Sequence, residues 1–328
     1  MFLSHLSKIQ KSPMDSRQLR YFAAMYEQGT LSNAAETCRV AVSALSHHLA
    51  NLEAEFGAPL FVRKPRGLQP TAAGERLYVH AKSILKAMSA AEKDIREAGT
   101  EISGEVSVGM AYSAVKAIGV DLARRVVSDY PKVRLSLSES LSGSTLMHLM
   151  ASEVDIALVY NPPADPRLKT QAVLEEQMVL VGTRAIIGDS DAPVRFADIL
   201  DLPMILLRQG ISARALMDDT NLLKKLEGRA KLQMNSVHAI GASLAAGLGC
   251  AIGTKLFMYE HIESGLLHYR PIVEPELSRT LYVCEMADRP ATYALEAVRS
   301  LILDLVRHSV MEGRWEARIV SPSHLKSE

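Results

Sequence analysis

The chain has few of the features that would place it in a special class. Its three cysteines, Cys38, Cys250 and Cys284, are far apart and sit in apolar contexts, which excludes a disulfide framework or a Cys-based metal site and favours packed thiols. Gly and Pro are not in excess, so the chain is neither fibrous nor disordered. No stretch approaches the roughly 18 to 20 consecutive apolar residues of a membrane span. The opening "MFLSHLSKIQKSPMD" carries no apolar run of signal-peptide length, so a cytoplasmic chain without membrane contact is expected. Net charge is also absent, at +0 for 328 residues.

Its distribution is more informative than its sum. Residues 1–100 hold 13 Lys and Arg against 9 Asp and Glu, whereas the rest hold 24 against 28. A basic front on an acidic body suits a DNA-binding module joined to something else. An apolar fraction of 48% over this length predicts two or three units with substantial cores.

Catalytic patterns are missing as well. No Ser, His and acid set carries a nucleophile motif, and "GLGCAIG" lacks the strand-then-helix placement of a dinucleotide loop. His47 and His48 are adjacent and point about 100° apart on a helix, a poor metal pair. No enzyme, cofactor or metal is therefore expected.

What is present begins with three short helices. "RQLRYFAAMYEQGT" places Leu19, Phe22, Ala23 and Tyr26 at helical intervals and stops at Gly29. "LSNAAETCR" puts Leu31, Ala34, Ala35 and Cys38 on one face, with Thr30 or Ser32 as cap and two small alanines for a close crossing. After the brief "RVAV", "AVSALSHHLANLE" sets Leu45, Leu49 and Leu52, extended to Phe56, on an apolar stripe, with Ser43, Ser46, His47 and Asn51 opposite. This is a helix-turn-helix, whose polar face would enter a DNA major groove. A merely hydrated face would satisfy the same pattern. The next segment reads as a strand at residues 60–62, a basic turn of Arg63, Lys64, Pro65, Arg66 and Gly67, and a return at 68–70, a wing suited to the minor groove or phosphates.

These residues resemble the amino-terminal domain of LysR-type transcriptional regulators. The similarity runs through residues 14–85 in "LRYF", "GTLSNAAE", "ALSHHLANLEAEFGAPLF" and "RGLQPTAAGERLYVHAKSIL". It implies that Val42, Ser43, Ser46 and His47 lie at groove-facing positions, with Arg63 and Arg66 in the wing; Asn51 on the same polar face, Lys64 in the basic turn and Ser32 at the start of the second helix are expected DNA contacts beside them. Family members commonly carry Ser-Gln or Ala-Gln where this chain has Ala41 and Val42, and Arg or Gln in place of His47. Without that Gln a bidentate adenine contact is lost, and Val42 offers only apolar contact, for instance to a thymine methyl.

Leu77, Ala81, Ile84, Met88, Ala91 and Ile95, spaced 4, 3, 4, 3 and 4 residues apart, form a heptad stripe that needs a cover. Packing within its own domain would satisfy it, but the family's linker helix implies self-pairing, and two recognition helices so held would read two half-sites. Residues 99–104 are expected to form the hinge.

Beyond residue 104, strands such as "EVSVGM", "VRLSLSE" and "VDIALVY" alternate with helices, predicting parallel sheets flanked by helices. The layout resembles the family's periplasmic-binding-protein-like regulatory domain, two α/β subdomains around a cleft. The expected fold class is therefore α+β multidomain: a winged helix-turn-helix domain, a long dimerisation linker helix and a two-subdomain α/β effector domain. The expected boundaries are an extension at 1–13 with Met14 as a candidate start, the winged domain at 14–72, linker and hinge at 73–103, the regulatory domain at 104–312 and a tail at 313–328. Subdomain I takes 104–163 and 274–312, and subdomain II 164–273. Ligands of such folds sit at the carboxyl ends of strands near helix starts. Those ends hold Tyr112, Ser113, Ser140, Ser142, Ser144, Arg208, Ser212, Asn235, Ser236 and His238, a hydroxyl-rich set suited to a small anion, although serines at helix starts also serve as plain caps.

Within the family, "GEVSVGMA", "VLVGTR" and the closing helix resemble the nitrogen assimilation control and sulfur-assimilation regulator branch. The expected partners are double-stranded promoter DNA, the chain itself as homodimer or homotetramer, RNA polymerase and a small anionic effector. Two alternatives stay open: a ligand-sensing protein with a vestigial head, and a regulator that needs no co-inducer.

Overall fold

The computed structural model describes residues 14–65, 67–97, 101–207 and 220–320. The chain divides into two compact units, the first ending at Arg96 and the second beginning at Glu97.

The first unit opens with α1 (Ser16–Gln28), α2 (Leu31–Cys38) and α3 (Val42–Phe56). Asp15 starts α1 with a reciprocal capping box to Gln18, and Gly29 ends it in the left-handed conformation, so terminal backbone groups that the helix leaves unpaired are satisfied at both ends. Thr30 caps α2 by accepting from Asn33 N at 3.2 Å, which leaves Ser32 exposed. Leu19, Phe22, Met25, Ala34, Ala35, Leu45, Leu49 and Leu52 form one buried core. Each large side chain there contributes about 1.5–3 kcal/mol by leaving water. Phe56, expected to extend the leucine stripe, is instead 45% exposed, because α3 ends there and the chain turns away at Gly57.

The wing is a hairpin of β1 (Phe61–Lys64) and β2 (Gly67–Pro70), with Lys64 opposite Gly67. A helix of 26 residues follows, α4 (Ala72–Glu97). Its first half belongs to the winged domain rather than to a free linker: Ala81 is 0% exposed, and Leu77, Tyr78 and Leu85 pack on the same core. Tyr78 stacks on Tyr26 at 3.8 Å and donates to Glu27 at 2.8 Å.

The second unit is built on a six-stranded sheet and a four-stranded one. In chain order its first elements are β3 (Ser103–Met110), α5 (Tyr112–Ala114), a π-turn at Val115–Gly119, α6 (Val120–Asp129), β4 (Lys132–Glu139), α7 (Ser142–Met150), β5 (Ile156–Tyr160) and β6 (Leu168–Gln177). Next come β7 (Val179–Gly182), α8 (Arg184–Ile187), β8 (Val194–Arg195), α9 (Phe196–Ile199), β9 (Ile205–Leu207), α10 (Thr220–Arg229), β10 (Leu232–Met234), α11 (Val237–Ala245) and β11 (Ala251–Gly253). A 3-10 turn (Lys255–Met258), α12 (Tyr259–Glu263), β12 (His268–Val273), β13 (Ser278–Met286), α13 (Tyr293–Met311) and β14 (Arg318–Ile319) complete it.

The large sheet runs β14-β6-β13-β5-β3-β4 and the second β11-β7-β12-β8, with β9 and β10 paired separately. Only β4-β3-β5 is parallel in the large sheet; β13 and β6 join antiparallel, so the sheet is mixed where a parallel one was expected. All five residues of β5 are buried, since α13 with α6 covers one face and α7 the other.

Three expected boundaries move. The first sheet does not end at residue 163, because β6 pairs with β13 over its full length, and the second sheet starts at β7. Residues 313–320 are not a tail: Trp315 is 0% exposed within the main core, and β14 pairs with β6. At the expected hinge, residues 98–100 lie outside the described residues, and Gly104 already pairs with Val133 inside β3.

Gly74 in α4 shows how tightly helix and wing meet. A Cβ at this position would lie 2.1 Å from the Leu60 carbonyl oxygen, whereas one on Gly228 in α10 would meet nothing within 4 Å. Gly74→Ala should therefore lower the stability of the winged domain by ~1–3 kcal/mol, and Gly228→Ala should be neutral or stabilising. Urea midpoints check both; equal effects would contradict this packing.

Candidate nucleic-acid interface and cleft

Burial of Leu45, Leu49 and Leu52 turns the opposite side of α3 outward. Val42, Ser43, His47 and Asn51 are exposed there and Ser46 is half-buried. Asn51 Nδ2 lies 3.2 Å from His47 Nε2, so the two side chains orient each other one turn apart. His48 instead packs inward, its ring 5.0 Å from that of Tyr21. Ala41 gives α3 no side-chain cap, which leaves first-turn amides uncovered beside this face, an arrangement suited to a phosphate.

The wing is fastened to the same helix from both ends. Glu53 accepts from Leu60 N at 2.8 Å and from Phe61 N at 3.2 Å, and Arg63 Nη2 donates to Ser46 Oγ at 3.1 Å. Two expected contact residues from different elements are thus brought together. Lys64 is exposed beside them, and Arg66 lies outside the described residues. Arg39, exposed in the α2–α3 turn with φ 55, adds a cation that pattern reading missed, since its conformation was hidden in a short connection.

The heptad stripe divides. Leu77 and Ala81 belong to the winged domain's own core, whereas Ile84, Met88 and Ile95 are exposed, the last at 79%, and Ala91 is exposed with them. The uncovered stripe is therefore shorter than the sequence suggested.

In the second unit a cleft lies between the two sheets. Of the residues expected there, Tyr112, Ser113 and Ser142 line it. Ser144, Asn235, Ser236 and His238 are not among its described lining: Ser236 caps α11 by accepting from Ala239 N at 3.2 Å, and Asn235 and His238 face out at the same helix start. Ser140 is taken up by Thr145, 2.6 Å away. Arg208 and Ser212 lie outside the described residues.

The strongest polar group in the cleft is one that pattern reading did not find. Arg279 on β13 is opposite Glu176 on β6, with Nη2 2.6 Å from Glu176 Oε1. Trp315 Nε1 donates to Glu176 Oε2 at 2.9 Å, Arg279 Nη2 donates to Ser113 Oγ at 2.9 Å, and the guanidinium lies 3.7 Å over the Tyr160 ring. Burial pushes the Tyr160 phenol well above its ordinary range, with Glu176 adding to the shift. Glu176 neutralises Arg279, so the ion pair is paid for in desolvation yet nearly uncharged towards the cleft.

Among the described residues no three His, Cys, Asp or Glu side chains are grouped to hold a metal, and no described helix is long and apolar enough to cross a membrane. Burial raises the Cys250 and Cys284 thiols to about 12, which keeps both in the unreactive thiol form at neutral pH.

A winged helix-turn-helix followed by a two-sheet α/β domain with a cleft defines a DNA-binding transcriptional regulator with an effector-type domain. Residues 16–75 match the bacterial regulatory helix-turn-helix protein model of the lysR family, and residues 99–307 match the LysR substrate binding domain; the chain belongs to the LysR family. It is 29% identical over 309 residues to the nitrogen assimilation regulatory protein nac of Klebsiella aerogenes, covering 94% of this chain and 100% of that one. This agrees with the branch resemblance. Among solved structures it is similar to a full-length, singly substituted OxyR from Pseudomonas aeruginosa, at 20% identity and TM-score 0.68 over 90% of this chain and 95% of that one. Full-length CbnR complexed with its target DNA gives 21% and 0.58 over 90% and 100%. At these identities the structures speak to fold alone.

The Arg63–Ser46 contact yields a coupled expectation. Arg63→Ala should weaken binding to every duplex and reduce the slope of log K against log salt by about 1. Ser46→Ala should cost ~1–3 kcal/mol of preference for the selected site over random DNA, and the double variant should fall short of the sum because the two side chains share a hydrogen bond. Gel-shift titrations at several salt concentrations measure all three. Strict additivity with an unchanged slope would remove the wing from the interface.

Proposed function

We propose that the chain acts in the cytoplasm as a self-paired, promoter-selective regulator. The outward side of α3 reads base edges in the major groove through Val42, Ser43, Ser46, His47 and Asn51. Ser32 and the wing cations Arg63, Lys64 and Arg66 hold phosphates or the minor groove. The observation that carries this reading is the separation of faces on α3: three leucines buried, and small polar side chains exposed beside a cationic hairpin.

Self-pairing through Ile84, Met88, Ala91 and Ile95 would set two such heads for two half-sites of one operator. Packing of the second unit, biased by what occupies its cleft, would decide how the bound pair meets RNA polymerase, because a ligand shifts such an equilibrium only by preferring one arrangement. The near full-length similarity to nac supports a regulator of this branch.

Replacing Met88 and Ile95 together by Glu tests the pairing. Sedimentation should show the unaltered chain as a dimer or tetramer and the double variant as a monomer, with operator affinity lowered about 100-fold or more, since each head then binds one half-site without the other's effective concentration. A monomeric unaltered chain, or a variant that still pairs, would refute it.

A further inference from the structure

Among the described residues, the cleft's charge balance does not favour the small anion that its serines suggested. Arg279 is the guanidinium found there among the described residues, and Glu176 already occupies it: Nε donates to Glu176 Oε1 at 2.7 Å and Nη2 lies 2.6 Å from the same oxygen. Trp315 holds the carboxylate's other oxygen, and Glu176 is buried, so it has nowhere to swing. A carboxylate entering the cleft would be a second anion on one guanidinium. The surrounding wall is aliphatic and aromatic, with Leu207, Ile240, Ile252 and Phe257, and an uncompensated buried charge is among the most costly states a protein can hold.

Donors, by contrast, are left over. Arg279 spends Nε and Nη2 on Glu176, Ser113 and Thr254, which leaves Nη1. Tyr160 is buried and lines the cleft. Glu176 and Ser113 are close enough to bias its ionisation, but its hydroxyl has no partner in hydrogen-bond geometry. A buried donor without an acceptor costs its full desolvation, and a neutral oxygen placed there recovers that cost without disturbing the ion pair. The free volume is ≈ 60 Å³, several times the roughly 10–15 Å³ that admits a single water.

We propose that this cleft takes a small, uncharged, largely aliphatic ligand of carbonyl type, whose oxygen accepts from Tyr160 Oη and Arg279 Nη1. The inference rests on the reading of the cleft as the regulatory site and leaves the DNA-binding reading independent of it.

Two probes of equal size and shape separate the possibilities, methyl isopropyl ketone and isobutyrate, titrated calorimetrically into the full chain. Trp315, the only tryptophan, supplies a second readout, because its indole N–H is bonded to the carboxylate that holds Arg279. The ketone should bind at least tenfold more tightly than isobutyrate and alter Trp315 emission. Tyr160→Phe should weaken the ketone by about tenfold. Glu176→Gln, which frees the guanidinium's charge while keeping an acceptor for Trp315, should turn the preference towards isobutyrate; if that variant does not fold, Tyr160→Phe alone decides. Isobutyrate binding as tightly as the ketone in the unaltered chain overturns the proposal. So does failure of both probes: with promoter DNA still retained, the cleft would be self-filled and the regulator would need no co-inducer, whereas lost DNA retention would sink the regulator reading as well.

Discussion

Three buried leucines on one side of a single 15-residue helix decide what the rest of the protein can do. Leu45, Leu49 and Leu52 close the core formed by α1, α2 and α4. Together they contribute about 5–9 kcal/mol of transfer free energy, comparable to the whole stability of a small domain. The helix cannot rotate without exposing them. Its other side is therefore held outward, and the short polar residues on it are held in a fixed pattern. Glu53 and Ser46 then fix the wing to that same helix, so the cationic hairpin and the helix face move as one surface.

The second unit depends on a comparable constraint of opposite chemistry. β6 and β13 are the two strands through which the chain leaves the six-stranded sheet and returns to it, and Glu176 and Arg279 face each other at the end of that pair. Trp315, from a segment more than a hundred residues further along than Glu176, completes the arrangement. A buried ion pair of this kind is weak evidence for stability, because desolvation offsets most of the attraction. Its consequence is geometric: it holds the crossover strands β6 and β13 in register beneath the cleft, with the Arg279 charge matched by Glu176.

Much of the winged domain was legible in the sequence because its interactions are local. Helix-period leucines, the Thr30 cap, Gly29 at a helix end and a cationic turn all lie within a few residues of what they determine. The heptad stripe was only half legible: periodicity at Leu77 and Ala81 is the same whether the cover is another subunit or the domain's own core, and here the core takes them. The cleft was least legible. Tyr112, Ser113 and Ser142 stand at strand ends, where such residues are looked for, but Glu176, Arg279 and Trp315 meet through antiparallel register across a hundred residues. β6 reads "LKTQAVLEEQ", and nothing in that string says which sheet it joins. Serines at helix starts also carry two meanings, and Ser236 proved to be a cap.

The central claim is that the outward side of α3, with its wing, selects a DNA sequence. Footprinting of the full chain on the promoter region beside its own gene tests it most directly, with random duplex as competitor. The account predicts protection of two neighbouring half-sites about one helical turn apart, lost when Ser46 and His47 are both replaced by Ala although the protein stays folded. Uniform protection of any duplex, unchanged by those replacements, would contradict it.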